Sequence, residues 1–295
     1  MNAPYCGRFA PSPTGPLHFG SLITALVSYF HARQQGGRWL VRMEDLDPPR
    51  EMPGAATLIL KQLERHGFDW DGEVMYQNTR QRRYQEILAD LLASGAAYYC
   101  TCSRKDIQAM GGRYDGRCRL SRNKEPGHGA IRLQVPESDQ VSYDDIFQGR
   151  QCHYPGREMG DYVIRRRDGL YAYQLAVVVD DMDQGISHVL RGMDLQDATP
   201  RQILLFKHLG AAVPVYGHIP IAINKFRQKL SKQNHAASLD LRRPAENLKS
   251  ALRWLGVAEI PDTEQPEALI RHGLHHWQSE YLQGKESLPS PVEYE

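Results

Sequence analysis

The stretch Arg8-Phe9-Ala10-Pro11-Ser12-Pro13-Thr14-Gly15-Pro16-Leu17-His18-Phe19-Gly20-Ser21 constrains this chain more than any other. Three prolines stiffen the backbone, and two glycines let a neighbour approach it closely. Arg8 to Ala10 reads as the end of a short strand. From His18 onward, Phe19, Leu22, Ile23, Leu26, Val27 and Phe30 recur at helical spacing, so the turn empties into an amphipathic helix. Gly36-Gly37 stops that helix, and Arg38–Met43 reads as the next strand. Strand, glycine-bearing turn, helix and strand make a βαβ unit, the element of a parallel sheet with helices on its faces.

Further along, helices are expected near Ala55–His66 and Arg80–Ala93, then at Pro200–Leu209 and in the tail from Arg243. Leu175–Val179 and His188–Leu190 read as apolar runs of parallel-strand type, and His218–Ile223 as an extended run. Between about Tyr98 and Tyr171 the texture changes to short β-like runs (Ala130–Val135, Tyr162–Arg166), many glycines and four of the five cysteines. That segment reads as a small inserted domain. The expected division is 1–97 and 172–224 for the two halves of the sheet domain, 98–171 for the insertion, and 225–295 for a loop and helical end.

A formal net charge of +1 excludes a strongly polyanion-seeking protein on average but permits a local basic face. No signal-like start or membrane-length apolar run is evident, and five unevenly spaced cysteines do not suggest a disulfide framework. A cytoplasmic setting without membrane association is therefore expected.

A helix N-terminus behind a glycine-bearing turn offers free N–H groups and a positive dipole end to a phosphate. His18 adds a donor, and Gly20 leaves room for a base or ribose. The spacing is neither a Walker loop nor a G-x-G-x-x-G fingerprint. A rigid turn with a capping histidine is the plainer reading of the same residues. Far downstream stands Lys229-Leu230-Ser231-Lys232-Gln233. Together the two stretches resemble the paired "HIGH" and "KMSKS" motifs of class I aminoacyl-tRNA synthetases, here written His18-Phe19-Gly20-Ser21 and Lys229 to Gln233. Ser21 and Gln233 depart from the usual last residues, and Leu230 takes the Met place. The context Pro-Ser-Pro-Thr-Gly-Pro-Leu-His is similar to the glutamyl branch of that class.

The resemblance implies a Rossmann-like parallel sheet as catalytic core, and ATP held by His18, Gly20, Lys229, Ser231 and Lys232, with Mg²⁺ accompanying the ATP. His18 and Lys232 would carry the catalysis. An amino-acid carboxylate attacks the α-phosphorus and expels pyrophosphate, so the enzyme positions reactants and stabilises developing charge.

Arg42-Met43-Glu44-Asp45-Leu46-Asp47 closes the second strand, where parallel-sheet sites form. It also resembles the glutamyl-branch motif Arg-Ile-Glu-Asp-Thr-Asp. By position in that motif and its neighbours, the resemblance implies that Glu44 takes the substrate ammonium. Arg8 and Arg191 would face the side-chain carboxylate, with Tyr173, Ala10 and Ser12 completing the pocket. A guanidinium forks onto a carboxylate bidentately and pairs poorly with a neutral amide, so L-glutamate is expected over glutamine.

Cys100, Cys102 and Cys118 suggest a structural Zn²⁺ site that is one ligand short. Tyr114, His128, Cys152 and His153 are candidates for the fourth position. Short glutamyl-branch relatives bind zinc through a C-x-C…Y-x₃-C pattern, and by that resemblance Tyr114 is the choice. One structural zinc would hold the insertion rigid.

With so few residues after Gln233, a separate anticodon-binding region is not expected. The chain thus resembles the short glutamyl-branch paralogues that transfer glutamate to the queuosine base at the wobble position of tRNA(Asp). Partners implied are ATP, L-glutamate and queuosine-containing tRNA(Asp), for a monomer. RNA contacts are sought at Arg104, Lys105, Arg113, Arg117, Arg119 and Arg165–Arg167. The competing readings are a truncated synthetase charging an acceptor 3′ end, a nucleotidyltransferase acting on a small acid, and a zinc-stabilised RNA-binding module.

Overall fold

A computed structural model of the chain describes residues 4–119, 129–230 and 237–294. Strand β1 (Cys6–Phe9) runs into the proline-rich turn and then helix α1 (Phe19–Gln34), which feeds strand β2 (Arg38–Met43). Gly15 sits in the turn at φ 139°, a conformation that a side chain rarely adopts. Helix α2 (Ala55–Arg65), strand β3 (Met75–Tyr76) and helix α3 (Gln81–Ala93) follow. β1, β2 and β3 pair in parallel, as the βαβ reading of the sequence requires.

The middle of the chain supplies β4 (Ala97–Cys100), α4 (Arg104–Ala109), β5 (Ala130–Leu133), β6 (Val141–Asp145), β7 (Gly149–His153), α5 (Pro155–Glu158) and β8 (Tyr162–Arg165). β4, β5 and β8 form an antiparallel sheet, and β6 and β7 a separate antiparallel pair. The parallel architecture resumes with α6 (Tyr173–Asp183), β9 (His188–Gly192), α7 (Thr199–His208), β10 (Val215–Ile219) and β11 (Ile221–Ile223). The chain continues through α8 (Pro244–Trp254), α9 (Pro266–His276) and β12 (Ser287–Pro289), the last pairing in parallel with β11.

Helix α6 corrects one expectation. Leu175–Val179 reads as a strand, but it lies inside a helix, and all five residues are buried. A helix buried on every side has no polar face to betray its period, so a short apolar run is indistinguishable from a buried strand. β12 is a second departure, a strand in a tail expected to be helical.

β9 pairs in parallel with β10 and lies beside β1. The Ser187 N–H donates to the Cys6 carbonyl at 2.9 Å, and the Cys6 N–H donates to Ser187 Oγ at 2.8 Å. The spatial order is therefore β3-β2-β1-β9-β10. The chain leaves β1 in both directions, which opens a crevice at the carboxyl ends of β1 and β9.

Helix α1 is covered on its outer side by the C-terminal helices. Phe19 stacks on Tyr294 with centroids 4.4 Å apart. Phe30 reaches α9 where Gly273 stands, and a Cβ there would lie 2.5 Å from its ring. Burying a side chain of this size contributes about 1.5–3 kcal/mol, so the tail packs as part of the core. Among the described residues no helix is long and apolar enough to cross a membrane.

Candidate active site

A cleft of about 970 Å³ opens at the carboxyl ends of β1 and β9, lined by the turn before α1, Glu44, Tyr173, Arg191 and Lys229. Its volume suits a nucleotide with a small second ligand.

The floor is built on a buried charge network. Asp181, on α6, accepts from Arg8 Nε at 3.1 Å and pairs with Arg42 Nη1 at 2.8 Å. Burial alone would raise the Asp181 pKa, but the two guanidinium groups hold it below the usual carboxylate range. Arg42 also stands 3.6 Å from the Glu44 carboxylate. For Glu44 burial wins, and its pKa is raised despite Arg42 and Arg8. The backbone N–H of Glu44 donates to the Pro11 carbonyl at 3.0 Å, tying the end of β2 to the proline turn.

The wall on the β9 side is centred on Arg191, which is 4% exposed. Nη1 donates to Tyr173 at 3.3 Å and to Gln202 at 2.8 Å, Nη2 to Thr199 at 2.6 Å, and Nε to His218 at 3.1 Å. Every one of these partners is neutral in the tautomer that accepts from Arg191. Among the described residues no Asp or Glu lies within ion-pair distance of it.

At the other end, His18 caps α1: its Nδ1 accepts the Ser21 N–H at 3.3 Å. A lone pair at Nδ1 puts the proton of the neutral ring on Nε2, 3.2 Å from Ser21 Oγ. The capping role weighed from the sequence is thus real, and it leaves a donor nitrogen at the helix N-terminus. A Cβ on Gly20 would meet the His18 ring at 3.3 Å.

Gln62 of α2 staples the turn from behind. Its Oε1 accepts the Leu17 N–H at 2.7 Å, and its Nε2 donates to the Leu239 carbonyl at 3.4 Å. The Leu239 N–H donates to the Leu17 carbonyl at 2.9 Å, so the chain after the lysine loop returns to the His18 turn. Lys229, before that return, pairs with Asp194 at 2.5 Å. Ser231, Lys232 and Gln233 lie outside the described residues, as does His128.

The structure thus brings Arg8, Ala10, Ser12, His18, Gly20, Glu44, Tyr173, Arg191 and Lys229 to one cleft. Sequence reasoning missed Thr199, Gln202, His218 and Asp145, the last two paired at 2.5 Å. They come from separate elements, and no local spacing links them.

In the middle segment the sulfurs of Cys100, Cys102 and Cys118 lie within 4.8 Å of one another, a group that could hold a metal ion. Arg132 Nε donates to Cys100 Sγ at 3.2 Å. Tyr114 is buried against the three, its hydroxyl accepting the Cys118 N–H at 2.9 Å. Without a cation, burial and the neighbouring thiols push Cys102 up to about 12; a bound cation would reverse this. Cys152 and His153 do not join the cluster: both are on the β6–β7 pair, where Cys152 accepts from Gln140 and His153 faces Glu158. Of the basic residues sought for RNA, Arg119 pairs with buried Asp161, Arg113 with Glu137 and Arg117 with Asp115.

Residues 6–274 match the family described as tRNA synthetases class I (E and Q), catalytic domain. A Vibrio vulnificus protein named glutamyl-Q tRNA(Asp) synthetase is 51% identical over 281 residues, covering 94% of this chain and 91% of its own. A Pseudomonas paraeruginosa protein of the same name is 49% identical over 296 residues, covering 98% and 99%. Among solved structures, a glutamate tRNA ligase from Elizabethkingia meningosepticum in complex with its amino acid superposes with a TM-score of 0.82. At 23% identity it covers 99% of this chain and 68% of its own, and it supports the fold.

Proposed function

The chain belongs to the class I tRNA synthetases of the glutamyl and glutaminyl type, a family of ligases, and from that premise we propose its reaction. It activates L-glutamate with ATP to glutamyl-adenylate, then transfers glutamate to the queuosine base at the wobble position of tRNA(Asp). The acceptor assignment rests on the relatives' names.

The observation that carries the amino-acid assignment is Arg191, a buried guanidinium on the cleft wall with no acidic partner among the described residues. Burying an uncompensated charge is costly, and a ligand carboxylate supplies the missing countercharge. Glutamate does so; glutamine leaves the guanidinium facing an amide. Glu44 takes the ammonium, and Tyr173 and Arg8 border the side chain.

An α-carboxylate oxygen of glutamate attacks the α-phosphorus, and the bond to pyrophosphate breaks. His18 Nε2–H and the free N–H groups at the start of α1 donate to the phosphate oxygens. Lys229 and Lys232 bring positive charge to the same phosphates. Mg²⁺ bound with the ATP would supply neutralising charge at the leaving pyrophosphate. A ring hydroxyl of queuosine then attacks the adenylate carbonyl, and AMP leaves. Cys100, Cys102, Cys118 and Tyr114 would hold a structural Zn²⁺, which would fix the segment that carries them and supply no chemistry to the cleft.

Glutamate-dependent ATP–pyrophosphate exchange, with and without bulk tRNA, tests the activation step. Exchange with glutamate and not glutamine is expected in the unmodified enzyme. Its loss in Arg191→Ala, by on the order of 10²-fold or more for a buried charged contact, is expected with the fold intact. Full exchange in that variant would sink the assignment.

A further inference from the structure

Arg191 has its own support, and that support reaches outside the cleft. Its Nε donates to His218 Nε2 at 3.1 Å, and Thr199 Oγ1 lies 3.0 Å from the same nitrogen. Arginine is donor-only at every nitrogen. His218 Nε2 must therefore present a lone pair, and the ring proton must sit on Nδ1. There Asp145 Oδ2 accepts it at 2.5 Å. Asp145 is itself locked, because its Oδ1 accepts the backbone N–H groups of Phe147, Gln148 and His218, each at 3.0 Å. Asp145, His218 and Arg191 are all buried, on β6, β10 and β9 respectively.

This arrangement differs from the obvious way to hold a buried arginine. A carboxylate in direct contact would orient the guanidinium, but it would also satisfy the charge and compete with an anionic ligand. A neutral imidazole between them passes on the orientation and leaves the countercharge one ring away. Burial and Arg191 both disfavour a second proton on His218.

We propose that Asp145 and His218 are positioning residues for substrate-carboxylate recognition, Asp145 fixing the His218 tautomer so that Nε2 accepts from Arg191. The inference rests on the reading of Arg191 as the group that meets the glutamate side chain. It also makes the β6–β7 segment, which carries no residue lining the cleft, a contributor to amino-acid affinity.

Asp145→Asn is the direct test. Asparagine keeps Oδ1 for the three backbone donors and replaces Oδ2 with an NH₂ group. His218 Nδ1 must then accept, the ring proton moves to Nε2, and donor faces donor at Arg191. Imidazole ¹⁵N shifts of His218 should report the Nδ1–H tautomer in the unmodified enzyme and the Nε2–H tautomer in the variant. In pyrophosphate exchange the KM for glutamate should rise about tenfold, as for one lost buried hydrogen bond to a charged group. The KM for ATP should stay within about twofold. Adding His218→Gln to that variant places an amide oxygen where Nε2 stood, free of any tautomer, and should bring the glutamate KM back toward the original.

An unchanged glutamate KM in Asp145→Asn would overturn the inference. So would a parallel rise in the KM values of glutamate and ATP, the mark of a general structural fault, or a failed rescue. If Asp145→Asn does not fold, His218→Leu against His218→Gln decides: equal glutamate KM values overturn the inference, and a leucine value about tenfold higher supports it. No glutamate-dependent exchange in the unmodified enzyme would overturn the glutamate reading and the inference with it. Exchange there, with Asp145→Asn unaffected, overturns the inference alone.

Discussion

Arg8 on β1 and Asp181 on α6 form an ion pair with 3.1 Å between Nε and Oδ1, both side chains at most 4% exposed. With Arg42 on the far side of the same carboxylate oxygen, the pair ties the end of the first strand to a helix far along the chain.

Removing that carboxylate leaves two buried guanidinium groups short of a countercharge. Asp181→Asn should therefore lower stability by about 3–5 kcal/mol, the usual cost of breaking a buried pair. Urea unfolding measures it. The Asp181 pKa is depressed in the folded protein, so its contribution is present above the unfolded value near ~3.9 and lost as pH falls through the folded one. The variant should be less sensitive than the parent to acid in that window.

Glu44 titrates in the opposite sense, its pKa raised by burial against the pull of Arg42 and Arg8. On the proposed role of Glu44 as partner of the glutamate ammonium, only the ionised form binds, and protons would compete with substrate below that raised value. kcat/KM for glutamate should fall on acidification at a pH above the ordinary carboxylate range of about 4.3. A profile that stays flat down to that range would contradict Glu44 as the ammonium partner.

Gly20 keeps space for the His18 ring that caps α1. Alanine removes the conformational freedom of a helical glycine, a gain of roughly 0.5–1 kcal/mol, but disturbing the His18 cap of α1 costs about as much. Its Cβ would stand 3.3 Å from His18 Cε1, so the imidazole must shift. Slower pyrophosphate exchange with little net gain in Tm is expected; unchanged exchange would mean the His18 position is not critical.

The Cys100, Cys102 and Cys118 cluster should carry one zinc per chain in protein purified without chelator, measured by elemental analysis. Chelation should lower the Tm, since metal affinity is folding free energy. Tyr114→Phe should weaken retention of the metal. Retention equal to the parent's would remove Tyr114 from the ligand set.

How much of this was legible beforehand depends on the distance over which each feature is encoded. The turn from Pro11 to His18 and the apolar period of α1 are local, and the βαβ unit follows from them. Cys100 and Cys102 are adjacent in pattern, and the thiol cluster was readable from spacing alone. Leu175–Val179 misled because complete burial erases periodicity. Glu44, Tyr173 and Arg191 were found through family motifs, since nothing near any of them shows that they share a cleft. Asp145 and His218 belong to no motif, and only the packing of β6 on β10 brings them behind Arg191.

The central claim is best tested by incubating the protein with ATP, labelled glutamate and bulk tRNA from queuosine-containing and queuosine-lacking cells. The account predicts label on the queuosine-containing tRNA alone. Equal label on both pools would contradict it and identify an acceptor-end synthetase instead, and no label on either would remove glutamate transfer to tRNA altogether.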